Sequence, residues 1–209
     1  MRWRNAALIV AAFALLCAPA ADGAIVVDQL LAVVNNQTIA LSDLYAYRLL
    51  WRASTTAQLL QQAIEQKVLM REATRFDIPE PETARVRQAV AELEQSYGGA
   101  ASWQAARERA GVAPGDIEQL VSDQLRIETF LVQRVDSFVF VSPTEVQSAY
   151  EAQTARFTGT PVAEAERVIE QELVKKKAVE KRQEYVARLR ARAAIKLLAA
   201  PPDELPTRP

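Results

Sequence analysis

The chain has 209 residues, 50% of them hydrophobic, and its 25 basic and 26 acidic side chains leave a net charge of −1. That balance gives no electrostatic footprint for nucleic acid. With no histidine and a single cysteine, Cys17, histidine-based catalytic triads, histidine pH switches and the usual zinc sites are excluded as well.

The first two dozen residues read as an export signal. Arg2 and Arg4 form a basic start, Ala6 to Ala18 an apolar run, and Ala18-Pro19-Ala20 a small-residue cleavage site. Cleavage is placed after Ala20, with Gly23 or Ala24 as neighbouring choices, so residues 1–24 are assigned to the leader. A membrane anchor is the competing reading, but the apolar run is short for a span. Leu16 also stands where a lipoprotein signal at Cys17 needs a small residue. No stable membrane anchor is therefore expected. Without Cys17 the exported chain has no disulfide, and its remaining ~185 residues must rely on a packed core.

A hairpin is expected next. Asn35-Asn36 separates the apolar runs Leu30–Val34 and Gln37–Leu41, and Asn accepts the positive φ of a two-residue type I′ turn. Closing the chain there pairs Val33 with Thr38, Ala32 with Ile39 and Leu30 with Leu41. One face then carries Leu30, Ala32, Val34, Ile39 and Leu41, the other Leu31, Val33 and Ala40. A hairpin apolar on both faces needs a third strand and a helical cover.

Ser42 offers an N-cap oxygen to a first helix reaching Ala53, with Asp43 in its first turn. Thr55-Thr56-Ala57-Gln58 reads as a capping box for a second helix running to Phe76. A third is expected from Pro81 to Tyr97, closed by Gly98-Gly99, and a short fourth from Ala101 to Ala110. Pro114 opens a fifth to Asp136. Phe138 to Val141 fits either a short strand or an extended connector. Ser142-Pro143-Thr144-Glu145 is a helix start with N-cap, N1 proline and capping-box Glu, and its helix is expected to end near Phe157. Val162 to Arg192 reads as one helix, roughly 45 Å long, whose Lys and Arg residues form a solvated face with Glu172–Lys176 and Glu184–Arg188 as partners. Ala194 to Leu198 is apolar enough to be the third strand, returning the chain's end to its beginning. Pro201 to Pro209 is expected to be a flexible tail.

Ala32-Val33-Val34-Asn35, followed by Ile39 and Ser42-Asp43, resembles the opening of SurA-type periplasmic chaperones, where a hairpin of the form A-V-V-N-G-x-x-I-T-x-S-D leads into a helical domain. Asn36 stands where Gly is usual, and Leu41 where a polar residue is common. The order of hairpin, helices, capped Ser142 helix and long terminal helix is similar to that layout over nearly all of the chain after the leader. The resemblance implies a mainly α fold over residues 25–200: a helical, trigger-factor-like peptide-binding domain with an N-terminal β-hairpin, joined by the short C-terminal strand. It also implies a periplasmic location and an ATP-independent chaperone that binds unfolded or extended polypeptides, outer-membrane proteins in transit among them.

In that family, parvulin-type prolyl isomerase domains are inserted after the equivalent of the Ser142 helix. The matching interval here is only Phe157 to Pro161, and the histidines of such a domain are missing from the whole chain. No isomerase activity is expected. Nor does the sequence carry a Gly-rich phosphate loop, a nucleophile elbow or an HExxH helix, so neither enzymatic activity nor a cofactor is expected. The pair Glu92 and Glu94 lies on a predicted solvent-facing helix with no sign of a pocket.

What remains is apolar surface as the tool. Candidates for a peptide-binding groove are Tyr45, Tyr47 and Trp51 on the first helix, Met70 on the second, Trp103 on the fourth and Phe130 on the fifth, each with core packing as the alternative. Trp51 is the preferred exposed member because Arg48 and Arg52 flank it. Two classes stay open: a general chaperone, and a dedicated interaction module that takes one fixed partner or forms a homodimer.

Overall fold

The computed structural model describes residues 28–52 and 55–206; the expected leader and its cleavage site lie outside them. Strands β1 (Leu30–Val34) and β2 (Gln37–Ala40) form the expected antiparallel hairpin. Asn35 and Asn36 have φ of 48° and 72°, the left-handed pair that a type I′ turn requires. Val33 faces Thr38 and Ala32 faces Ile39 as expected, but a register irregularity sets Leu30 against Ala40 instead of Leu41. Leu30 is consequently turned out, 46% exposed, while Leu31, Ala32, Val34 and Ile39 are buried.

Helix α1 (Asp43–Trp51) follows, but the Ser42 side chain does not cap it. Its hydroxyl and N–H both donate to the Asp28 carboxylate instead, and Asp43 accepts from the Ala40 N–H at 2.9 Å. In α2 (Thr56–Arg75) the Thr55 hydroxyl does act as N-cap, accepting from Gln58 N–H at 3.2 Å. Helix α3 (Thr83–Ser96) begins two residues after Pro81, and α4 (Ala100–Ala110) follows the Gly98-Gly99 break. Pro114 opens α5 (Pro114–Arg134), where Asp116 accepts from the Ala113 N–H.

The segment after α5 is not a strand. It makes a 3₁₀ turn at Asp136–Phe138 and then runs extended to Ser142. The Ser142–Glu145 capping box forms as the sequence predicts, with Ser142 Oγ accepting from Glu145 N–H and Glu145 Oε2 from Ser142 N–H. Its helix α6 (Pro143–Glu151) stops six residues before Phe157, which ends a second 3₁₀ turn. Helix α7 (Val162–Arg192) is unbroken over 31 residues. Its charges pair differently from expectation: Glu172 binds Arg156 and Glu184 binds Lys181.

Strand β3 (Ile195–Leu197) pairs antiparallel with β1, giving the order β2-β1-β3. Asn35 clasps it twice: its N–H donates to the Ala194 carbonyl at 2.9 Å, and its side-chain oxygen accepts from Ala194 N–H at 3.0 Å. The chain's end does return to its beginning. Residues 201–206 then lie against the helices, where a flexible tail was expected. Leu205 is buried, and the Tyr45 hydroxyl donates to the Pro206 carbonyl at 2.6 Å.

Three apolar clusters make the body. The first joins the sheet to α1 and α2 through Leu31, Val34, Ile39, Leu44, Leu59 and Ile64. A second lies between α2 and α5, with Tyr185 and Val186 of α7 packed against it. The third links α1, α4 and α5 around Trp103, Val112 and Ile117, with α3 packed on its edge. A separate small cluster of Phe157, Ala165 and Ile169 with Val146 and Tyr150 binds α6 to the first half of α7. Mainly α with a small sheet is thus the architecture.

Two consequences are measurable. Ending the chain after Arg192 removes β3 and Leu205, and is expected to cost about 3 kcal/mol or more; a thermal midpoint equal to that of the full chain would show that the return strand contributes nothing. Gln66 is 4% exposed, and both polar atoms of its amide lack a partner among the described residues. Replacing it by Met, of similar length, removes that desolvation penalty and should stabilise by about 1 kcal/mol or more, read as a rise in the denaturant midpoint.

Candidate functional site

The six aromatic and Met candidates do not meet on one surface. Tyr47 and Trp51, one turn apart on α1, stack at 4.9 Å and 17°. Tyr47 is buried and Trp51 half-buried against the sheet cluster, so Trp51 is not the exposed ring that its flanking arginines implied. Burial, reinforced by Asp43 and Asp123, pushes the Tyr47 phenol above its ordinary range. Trp103 is buried beside Tyr97, and Phe130 is fully buried between Phe76 and Tyr185. Met70 is half-buried against the Phe130 cluster. Tyr47 also borders a small cleft, and Tyr45 reaches a wider one.

That cleft has a volume of about 750 Å³ and lies between α1, the end of α3, α4 and the chain's tail. Tyr45, Leu49 and Tyr97 supply apolar wall, and Arg48, Arg52 and Arg109 supply charge. The Arg52 guanidinium sits 4.3 Å from the centre of the Tyr97 ring and donates to the Ser96 carbonyl, so one side of the cleft is held by cation–π and hydrogen-bond contacts. A second cleft, of about 380 Å³, gathers Asp43, Asp116, Asp123, Lys67 and Tyr47. Burial raises the Asp123 carboxyl above its usual range. Among the described residues no group of three or more His, Cys, Asp or Glu is placed to hold a metal, and no helix is long and apolar enough to cross a membrane.

The exposed aromatic surface lies elsewhere, on the connector between α5 and α6. Phe138 is 77% exposed and Phe140 73%. Their neighbours Val139 and Val141 turn inward, half-buried and buried. Phe138 closes the 3₁₀ turn, and Phe140 lies in the extended run, where residues two apart share a face and Val139 and Val141 take the inward side.

Two basic residues of α7 pin this connector. Arg182 forks onto Glu128 of α5 at 2.9 and 2.7 Å, and its Nε donates to Asp136 at 2.8 Å. These paired hydrogen bonds raise the guanidinium's pKa further. Lys177, five residues earlier, donates to the Phe140 carbonyl at 2.9 Å and to Glu145 at 2.8 Å. The backbone carrying the two rings is therefore tied at Asp136 and at Phe140 while the rings face water.

Comparison with models of known protein families finds no match, and no curated protein matches this sequence.

The Lys177 clasp has a pH signature. Hydrogen bonds from Lys177, then from the Ser142 N–H and hydroxyl, lower the Glu145 carboxyl from 4.5 to about 2. A folded value below the unfolded one means that the contribution is present above 4.5 and is lost as pH falls through about 2. Carboxyl NMR titration of Glu145 is expected to give a midpoint near that lower value, moving up toward the ordinary one in Lys177→Met. An unshifted midpoint in the parent protein would mean that the clasp does not form in solution.

Proposed function

We propose that this protein holds non-native polypeptide outside the cytosol, as an ATP-independent chaperone. The observation that carries the reading is the pair Phe138 and Phe140, both more than two-thirds exposed on backbone held by Arg182 and Lys177. Large rings left in water on a fixed scaffold gain free energy when a partner covers them. Contact of that kind selects apolar, unfolded segments with little regard to sequence. The resemblance of the Ala32–Asp43 opening to SurA-type chaperones supports the same reading and adds the periplasm and outer-membrane clients to it. No nucleotide motif is visible in the sequence, so a cycle of binding and release would run on affinity alone.

The rigidity of the connector favours a second reading. A chaperone for many clients gains from adaptable side chains, whereas two rings presented in one geometry suit a single dedicated partner, or a second copy of the chain.

The assay that separates the two is light scattering from an unfolded outer-membrane porin diluted into buffer with the purified protein. Suppression is expected at near-stoichiometric ratios. Replacing both Phe138 and Phe140 by Ser is expected to raise the protein needed by at least about fivefold, since the lost apolar contact is worth 1 kcal/mol or more, with the helical circular dichroism unchanged. Full protection by the double variant would remove the rings from the client surface. A well-folded parent with no protection at all would favour the dedicated partner, sought by size determination in solution and by pull-down from cell envelope.

A further inference from the structure

One wall of the cleft beside α1 is supplied by the chain's own tail. Leu205 and Pro206 of the tail line it, Leu205 being buried against the sheet cluster, whereas Asp203, Glu204 and Pro206 are exposed. Tyr45 donates to the Pro206 carbonyl at 2.6 Å and Thr56 to the Asp203 carbonyl at 3.3 Å. The hold thus uses main-chain acceptors and one aliphatic side chain. Any extended segment with an aliphatic residue before a proline offers the same groups. Proline also biases the residue before it toward extended backbone, so such a segment loses little entropy on seating.

The rest of the cleft is open, and its charged lining is Arg48, Arg52 and Arg109, with no carboxylate among the lining residues. The seated segment itself is acidic, Asp203-Glu204 preceding Leu205.

We infer that this cleft is a binding site for extended, acidic polypeptide segments bearing an aliphatic–proline pair, and that residues 203–206 are its tethered occupant, displaced when such a segment arrives. The inference rests on the polypeptide-binding reading and adds to it a second site, away from the phenylalanine pair. A tethered occupant competes at high effective concentration, so it sets a threshold that weak segments do not cross.

The test uses a fluorescein-labelled peptide with the sequence of residues 201–209, followed by anisotropy. Leu205→Ser releases the tail, and this variant is expected to bind the probe at least about tenfold more tightly than the parent. Excess reduced, carboxymethylated lactalbumin, an acidic and permanently unfolded polypeptide, is expected to displace it. Changing Arg48 and Arg109 to Glu in the Leu205→Ser background should weaken the probe by a similar factor. A Leu205→Ser protein with native circular dichroism and no gain for the probe overturns the tail as occupant. A bound probe that lactalbumin does not displace, in a protein that still protects porin, overturns the cleft as a client site and leaves the chaperone reading in place. Lactalbumin that binds neither protein, together with no protection of porin, defeats both readings. Should Leu205→Ser lose helicity, amide exchange in the unaltered protein decides: saturating lactalbumin must speed exchange at Glu204 and Leu205, and unchanged rates overturn the inference.

Discussion

Strand β1 is hydrogen-bonded on both sides, by β2 from the residues that follow it and by β3 from far along the chain, with Val34 facing Ile195. A two-stranded hairpin with apolar residues on both faces has no stable existence in water. The third strand removes one edge, and the helices packed against the sheet bury Leu31, Ala32, Val34 and Ile39. Closing so long a loop costs little more than closing one half its length, because the entropy grows only with the logarithm of loop size. The burial gained is local and large. Asn35 concentrates the arrangement in one residue, turning the hairpin with a left-handed φ while its backbone and side chain grip β3.

The position of α7 follows from that closure. Its last residues must deliver the chain to β3, so its second half crosses α2, where Arg190 meets Glu65 and Gln61 and Leu189 packs against the core. Thirty-one residues of continuous helix then carry the first half beyond the body, where its apolar partner is α6. That arm has a core of only a few side chains. Arg182 and Lys177 act where the apolar contact between body and arm is thin, through paired and charge-assisted hydrogen bonds. Body and arm are therefore held by different forces: broad apolar burial in one, a small satellite core with ionic clasps in the other. The exposed phenylalanines sit at the join between them.

The function proposed here depends on surfaces left uncovered by this division. The connector exposes Phe140 because Val139 and Val141 take the inward positions of its extended part, and the cleft beside α1 stays open next to the wall that Leu205 and Pro206 supply. The aromatic residues that looked most suited to client binding went instead to packing. Phe130 and Trp103 are the centres of two of the three body clusters, and the burial that makes them valuable there removes them from any client.

Local chemistry was legible in the sequence by itself. The Asn-Asn turn, the Thr55 cap, the Ser142–Glu145 capping box, the glycine and proline breaks and the seven helices among the described residues are each decided within a few residues, by φ preference, hydrogen-bond reach or 3.6-residue periodicity. Even the return strand could be anticipated, because an apolar hairpin demands a partner and the chain offers one. Only the tertiary structure decided which of two available partners a group takes. Ser42 binds Asp28 rather than capping α1, Leu205 seats the tail on the helices, and Phe138 and Phe140 face water while Phe130 does not. For the last two the physical reason is the same. Burial is a property of neighbours brought together from distant parts of the chain, and helical spacing says which residues share a face without saying what that face will meet.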